Sequence, residues 1–416
     1  MGRELAAARF SLADFHFGDS ADPLMPPEDF VHWRRQTRAA TALYERSLLA
    51  GPVPRTEVDV DGERRPVINL SSYNYLGLAT HPEVVGAARR ALDSYGLGAC
   101  GSPLLSGMPD LHRALEAELS AFLGRGETML FNSGFGGALG SLAGLLRRGD
   151  VAVLDSRSHL SLVEGARLAQ ARLRMFDHND PDSLDQALSR YPDARRLVVV
   201  EGVYSMDGDR ADLPALLPVA ERHGVGVVVD EAHSVLTCGP TGRGVVEEFG
   251  LDDRVGLLYG TFSKAFAGIG GFVSGAPETI DYLRMYASSY GFSCALPPPV
   301  VAGLLAGLRV ATRDGEPRRR LRDNAEYFRA GLRRLGVDTG DSTTHVVPIV
   351  VGADRALLYE LGHAMLARGL FLAPVDYPSV PEDRVRFRAS VTAAHTRDDL
   401  DEALTIVADT VVRRLR

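Results

Sequence analysis

GVGVVVDEAH, residues 224–233, and VGLLYGTFSK, residues 255–264, decide the fold. Each is a short β-branched or aliphatic run that breaks into polar residues, the pattern of a strand buried on both faces. The first run ends at Asp230, with His233 three residues on, and the second passes through Gly260, Thr261 and Ser263 to Lys264. Similar runs stand at Met129–Phe131, Val151–Leu154 and Leu197–Val200. Separations of about 20 to 45 residues leave room for crossover helices, so the sequence predicts a mostly parallel sheet with helices on both faces. In such sheets ligands bind beyond the carboxyl ends of the strands, which puts Asn132 to Gly134, Asp155, Glu201, Asp230 and Gly260 on one rim.

The chain has 416 residues, 45% of them hydrophobic, with 46 Lys and Arg against 54 Asp and Glu, a net charge of −8. A mildly acidic chain offers no broad field for phosphate backbones, so no nucleic-acid partner is expected and any anionic ligand must be held locally. Three cysteines, Cys100, Cys238 and Cys294, match neither a disulfide framework nor a metal cluster. The amino-terminal residues never build an uninterrupted apolar stretch, and Pro297 to Leu308 is too short to cross a membrane. A cytoplasmic protein with no membrane span is the expectation.

Around this sheet, residues 1–66 read as an amino-terminal arm, with a helical stretch from about Asp29 to Leu49. Residues 67–297 read as the large domain, and Pro297-Pro298-Pro299 marks its expected end. Residues 298–416 read as a smaller α+β domain, with strand-like segments at Val346–Val351 and Arg384–Phe387 and a helix from about Arg397. The run Arg318-Arg319-Arg320-Leu321-Arg322 reads as a solvated helix face, with contact to a coenzyme A phosphate or an acidic carrier protein as the alternative.

Ser133-Gly134-Phe135-Gly136-Gly137 follows one strand and opens a helical stretch, where unpaired N–H groups and the helix dipole favour an anion. A phosphate seat is one reading, and a tight turn with small residues for packing is the other. The segment also approaches a dinucleotide fingerprint with Asp155 placed for a ribose, but Leu139 stands at the third glycine position. Gly96, Gly98 and Gly101 match that spacing better, yet follow a helical stretch and read as an irregular loop. A carboxylate such as Asp230 at a strand end needs a cation or hydrogen-bond donors. With His233 it could be a structural pair; no third ligand stands at metal-site spacing, and no metal is expected.

Lys264, just after a buried strand and among small residues, loses hydration and becomes a candidate Schiff-base nucleophile; a structural lysine is the alternative. Thr261 and Ser263 could give hydroxyls to a phosphate. A phosphate seat, an Asp, a His and an amine on one rim are what pyridoxal phosphate requires, and His159 is the candidate to stack on its ring.

From about Asn69 to His395 the chain closely resembles the α-oxoamine synthase family of fold-type I pyridoxal phosphate enzymes. The resemblance is carried by Asn74-Tyr75-Leu76-Gly77-Leu78, Leu105-Ser106-Gly107, His112 to Leu119, Ser133-Gly134-Phe135 and Ser158-His159. It continues through Gly202 to Gly208, Asp230-Glu231-Ala232-His233, Gly260 to Lys264 and Thr392-Ala393-Ala394-His395. It implies an aminotransferase-like α/β fold, with a mostly parallel seven-stranded sheet in the large domain and a smaller carboxy-terminal domain.

Family members condense an amino acid with an acyl thioester, lose carbon dioxide and thiol, and release an α-amino ketone. The resemblance implies that Lys264 holds the cofactor as a Schiff base and removes the substrate Cα proton. It gives Asp230 to the pyridinium nitrogen, His233 and Ser205 to the ring hydroxyl, and His159 to the ring face. Gly134, Phe135 and Thr261 would hold the phosphate. Ser293 matches a hydroxyl the family contributes from the neighbouring subunit, which implies a homodimer with shared active sites. Arg388 matches the arginine that clamps the substrate carboxylate, and Tyr73 and Asn74 fall at the substrate.

The string Ser72 to Gly77 looks more like serine palmitoyltransferases than biotin-pathway synthases, which favours serine slightly over glycine or alanine. Coenzyme A and an acyl carrier protein both remain as donors. A pyridoxal phosphate aminotransferase or aldolase-like lyase is the alternative, and a nicotinamide-dependent reductase the remote one.

Overall fold

A computed structural model describes Asp14, residues 22–313 and residues 315–415. Thirteen strands occur among them: β1 Arg55–Val60, β2 Glu63–Asn69, β3 Glu127–Phe131, β4 Val151–Asp155, β5 Arg172–Phe176, β6 Arg196–Glu201, β7 Gly226–Asp230, β8 Leu257–Thr261, β9 Gly271–Gly275, β10 Val346–Gly352, β11 Leu370–Phe371, β12 Pro374–Val375 and β13 Val385–Ser390. They divide between two compact units. The larger comprises Tyr73–Ser205 and Asp209–Leu321; the smaller comprises Met1–Ser72, Met206–Gly208 and Arg322–Arg416.

The larger unit is built on one seven-stranded sheet in the order β3-β9-β8-β7-β6-β4-β5. Every neighbouring pair from β8 to β5 is parallel, and β9 alone runs against its neighbours β3 and β8. The expected fold class is therefore borne out. All five strands expected in this sheet are present; β5 and β9 were not expected. β5, Arg-Leu-Arg-Met-Phe, lies on the sheet edge and carries charge there, while β9 is a five-residue run bounded by glycine at both ends.

The central strands are buried on both faces because helices cover them. Gly134–Leu145 and Leu160–Leu168 pack together, and Leu142, Leu162, Ala166 and Ile280 close over Met129, Leu154 and Val199 in one core. Each fully buried aliphatic side chain of this kind contributes about 1.5–3 kcal/mol.

The expected division at residues 297 and 298 is not where the units part. Pro298, at a first-turn position where proline loses nothing, opens the helix Pro298–Thr312, which packs on Pro82–Tyr95 inside the larger unit. The boundary falls at Leu321 and Arg322. Arg318 is not a solvated charge either: it donates to the carbonyl oxygens of Pro240 and Thr241 at 2.7 and 2.9 Å and pins that loop.

The smaller unit contains the sheets β1-β2-β11 and β10-β13-β12. Phe328, Leu332, Ile349, Leu361 and Phe387 lie in its core. Residues 55–66 of the expected arm are not separate, and residues 67–72, expected in the large domain, belong to the smaller unit with them, because β2 pairs with β11 and closes a sheet with the carboxy-terminal segment. The expected helix from Asp29 to Leu49 is Glu28–Thr37 followed by a 3₁₀ turn Ala40–Leu43. Thr37 donates back to the carbonyl of Trp33 and Thr41 to that of Thr37, and Glu45 at φ 56 ends the helical path. Residues 1–13 and 15–21 of the expected arm lie outside the described residues.

Met206–Gly208 belongs to this smaller unit. Arg386, fully buried, donates to Asp207 Oδ1 at 2.7 Å and to the Met206 carbonyl at 3.1 Å. Thr344 Oγ1 donates to the Gly208 carbonyl. Gly208 is at φ +71, and a Cβ there would meet Val346 O at 1.8 Å, so no other residue fits.

Candidate active site

In the larger unit the carboxyl ends of the parallel strands bring their polar residues to one rim. Asp230 closes β7; its register partners are Glu201 at the end of β6 and Tyr259 in β8. Its Oδ1 accepts from Ala232 N at 2.8 Å. Burial raises the Asp230 carboxyl to about 6, against the pull of the Lys264 charge and the Ala232 N–H. Glu201, also buried, is pushed well above the usual carboxylate range by burial and by the neighbouring Asp230 charge. The His159 N–H, 2.5 Å from its Oε1, and the Lys264 charge act in the opposite direction.

Lys264 follows β8 in a tight loop that closes when Ala267 N donates to the Lys264 carbonyl and Gly268 N to that of Phe262. Its charge lowers the carboxyls of both Asp230 and Glu201, against their burial. The aromatic cluster of Phe262, Phe266 and Phe272 holds the loop from beneath.

His233 lies one turn beyond Asp230 and is buried. Its Nδ1 is 2.8 Å from the Tyr75 hydroxyl, and the rings of Tyr73 and Tyr75 flank it at 6.1 Å. Tyr73 is thus beside an expected cofactor residue. Asn74 is buried and its Oδ1 accepts from Ala79 N at 3.1 Å, the work of a residue that closes a turn.

The glycine-rich turn has the form of an anion seat. Ser133 caps the helix Gly134–Leu145 by accepting from Gly136 N at 2.9 Å. A Cβ on Gly134 would fall 2.5 Å from Thr261 Oγ1, so the helix start and the Thr261 hydroxyl approach closely only because residue 134 is glycine. Thr261 Oγ1 is 2.9 Å from Ser263 Oγ, and Tyr259 donates to the Gly134 carbonyl at 2.7 Å. Phe135 is half exposed beside them. Ser293 accepts from Asn132 Nδ2 at 2.5 Å, so it too reaches the rim of its own chain.

His159 caps the helix Leu160–Leu168, with Nδ1 2.8 Å from Ser161 Oγ and 3.3 Å from Ser161 N. Ser205 is buried in a hairpin closed by the Val203–Arg210 bridge and by Tyr204 N donating to the Asp209 carbonyl. Arg388 belongs to the smaller unit. It is half-buried on β13, with Nη1 3.7 Å from Met206 Sδ.

The sequence reading assigned no role to Glu201 or Tyr75, although both touch expected site residues. It also passed over a signal that a count would have found: Lys264 is the sole lysine of the 416 residues, all other side-chain ammonium or guanidinium groups being arginine. Among the described residues no three His, Cys, Asp or Glu side chains are placed to hold a metal ion.

Pyridoxal phosphate fits this donor set. The cradle at Gly134 and Thr261 would take its phosphate, Lys264 its aldehyde and Asp230 its ring nitrogen.

Residues 65–407 match the family model Aminotransferase class I and II. The chain is 41% identical over 343 residues to "Putative 8-amino-7-oxononanoate synthase 2" of Mycobacterium tuberculosis, covering 82% of this chain and 44% of that protein. It thus spans about half the length of the first curated relatives it matches. It is 37% identical to a serine palmitoyltransferase of Sphingobacterium spiritivorum, covering 84% of this chain and 87% of the relative. The solved Sphingomonas wittichii serine palmitoyltransferase is 32% identical with a TM-score of 0.88, covering 95% of this chain and 99% of that one. A site assembled from ordered motifs on this sheet, together with these matches, makes the chain a member of the aminotransferase class I and II family, in its α-oxoamine synthase branch.

Proposed function

We propose that the chain binds pyridoxal phosphate and condenses an amino acid with an acyl thioester, releasing thiol, carbon dioxide and an α-amino ketone. The observation that carries this reading is that the sole lysine, Lys264, and the buried carboxyl of Asp230 stand at the carboxyl ends of the adjacent parallel strands β8 and β7. The named 8-amino-7-oxononanoate synthase and serine palmitoyltransferase relatives support thioester condensation over transamination. When bound, the cofactor supplies an electron sink next to the substrate nitrogen.

The protein's residues do the rest. Asp230 accepts the ring N–H and keeps the proton there, because a buried carboxylate facing a cation favours the charged pair. Lys264 would hold the aldehyde, and its amine is the group to take a proton from the substrate Cα. His159 would lie against the ring, and His233 and Ser205 would hydrogen-bond its hydroxyl. The first-turn N–H groups at Gly134 and Phe135, with the hydroxyl of Thr261 and that of Ser293 from the neighbouring subunit, would hold the phosphate.

Arg388 clamps the substrate carboxylate as a planar fork, which turns the Cα–H bond to the orientation needed for its loss. Tyr73, beside His233, borders the substrate side chain, and serine is the favoured amino acid.

Two copies complete the active site. Leu97, Leu105 and Phe292 are 81%, 86% and 93% exposed, and large apolar side chains left in water suit self-association. The cytoplasm, where amino acids and acyl thioesters meet, is the compartment that fits. Incubation with serine and acyl-coenzyme A tests the reading. Thiol and carbon dioxide released one for one agree with it, whereas a keto acid without thiol contradicts it.

A further inference from the structure

Beside the residues given a role above, the larger unit holds an ionic cluster that includes Asp155, at the carboxyl end of β4. His178 follows the edge strand β5, and its two ring nitrogens face two different carboxylates. Nδ1 is 2.9 and 3.1 Å from the oxygens of Asp155, and Nε2 is 2.6 Å from Asp209 Oδ2. A neutral imidazole carries only one N–H, so donating to both carboxylates requires the charged ring. Burial opposes the charge, but hydrogen bonds and the charges of Asp155 and Asp209 outweigh it and hold the ring at about 9. The rings of Tyr204 and His178 pack edge to face with centroids 4.4 Å apart.

Each carboxylate anchors one loop. Asp155 ends β4, and its Oδ1 accepts from Arg157 N at 2.8 Å while its carbonyl accepts from Ser158 N. That turn delivers His159. Asp209 closes the hairpin that carries Ser205, through its carbonyl and Tyr204 N. Asn179 adds a parallel stitch: its N donates to Asp155 Oδ2 at 3.1 Å and its Nδ2 to the Arg210 carbonyl at 2.8 Å. Arg157 Nη1, 3.8 Å from Asp209 Oδ2, is a looser second link between the same two loops.

We infer that His178, by bridging Asp155 and Asp209, is a positioning residue that sets the placement of His159 relative to Ser205 and so shapes the bed of the cofactor ring. Two loops tied by one charged ring cannot drift independently, whereas with a neutral side chain at 178 one tie is lost. The inference rests on the roles proposed above for His159 and Ser205, and its test separates the two.

His178→Gln and the nearly isosteric Asp209→Asn are compared with the unaltered chain, each loaded with pyridoxal phosphate. Both variants are expected to become as yellow as the parent, because Lys264 is untouched. The visible circular dichroism of the bound cofactor, which reports the asymmetry of its surroundings, is expected to weaken. The value of kcat is expected to fall about ten- to a hundredfold with the amino-acid KM unchanged.

Dichroism and kcat equal to the parent in whichever variant folds overturn the inference, and so does a lowered melting temperature as the sole change. Hydrogen exchange of the cofactor-free chain gives a readout independent of loading. Faster exchange in residues 155–159 and 202–210 together is expected in His178→Gln, and no change there contradicts the bridge. A parent chain that stays colourless refutes the proposed function instead.

Discussion

Glu201 and Asp230 stand opposite one another in the parallel register of β6 and β7, two buried carboxyls at the same rim. Two adjacent carboxyls out of water do not both ionise readily. Asp230 is the one proposed to face the cation of a bound ring, which favours its charge. Burial and the Asp230 charge push Glu201 toward its protonated form, against the hydrogen bond from the backbone of His159.

Asp230→Asn removes the anion opposite the ring nitrogen while preserving shape. The expected result is a loss of about a hundred- to a thousandfold in kcat, with the cofactor still attached to Lys264. Steady-state kinetics with absorption of the bound cofactor checks it.

Glu201→Gln is expected to leave the fold intact, because the amide has nearly the same shape and still accepts from His159 N. The sign of its pH effect is fixed by the raised carboxyl. A group whose value is higher in the folded chain supports the fold at low pH and withdraws that support as pH rises. In the cofactor-free chain the parent therefore loses stability relative to Glu201→Gln with rising pH, and urea melts across the neutral range measure it.

His178 gives the same sign in another window. Held at about 9 against an ordinary 6.5, it stabilises the fold fully below 6.5, and its contribution is lost as pH rises through about 9. A shift of that size corresponds to about 3 kcal/mol. Equilibrium unfolding of the parent is expected to show that slope, and His178→Gln to lack it.

Gly134→Ala would put a methyl 2.5 Å from Thr261 Oγ1 and 3.1 Å from the Tyr259 hydroxyl. Overpacking of this kind costs about 1–3 kcal/mol, and at this position the expected consequence is weaker cofactor binding as well as a lower melting temperature. A pyridoxal phosphate titration of the variant checks it.

Arg386 and Arg388 are expected to separate structure from substrate binding. Arg386→Ala removes a fully buried guanidinium with its hydrogen bonds to Asp207 Oδ1 and the Met206 carbonyl and should cost about 2–3 kcal/mol. Arg388→Ala should keep the melting temperature and raise the amino-acid KM.

The interior of the sheet was legible because buried parallel strands are nearly pure aliphatic runs that end where the rim begins, as at Val229 and Asp230. β5 was not, since an edge strand can carry Arg172 and Arg174, and with it went His178, two residues beyond its end. The unit boundary was misread because three prolines look like a linker, although a proline at a helix start is equally at home. Lys264 was readable from its surroundings, and its uniqueness from a simple count. The pairing of Glu201 with Asp230 needed the register of β6 against β7, which depends on how strands distant in sequence align.

The covalent attachment at Lys264 is the claim on which the rest stands. The chain is incubated with pyridoxal phosphate, reduced with borohydride and digested, and the labelled peptide is identified by mass. One phosphopyridoxyl group on the peptide that contains Lys264, absent from Lys264→Ala, is the predicted result. A parent chain that takes up no label, or a Lys264→Ala chain labelled to the same extent, would contradict the account.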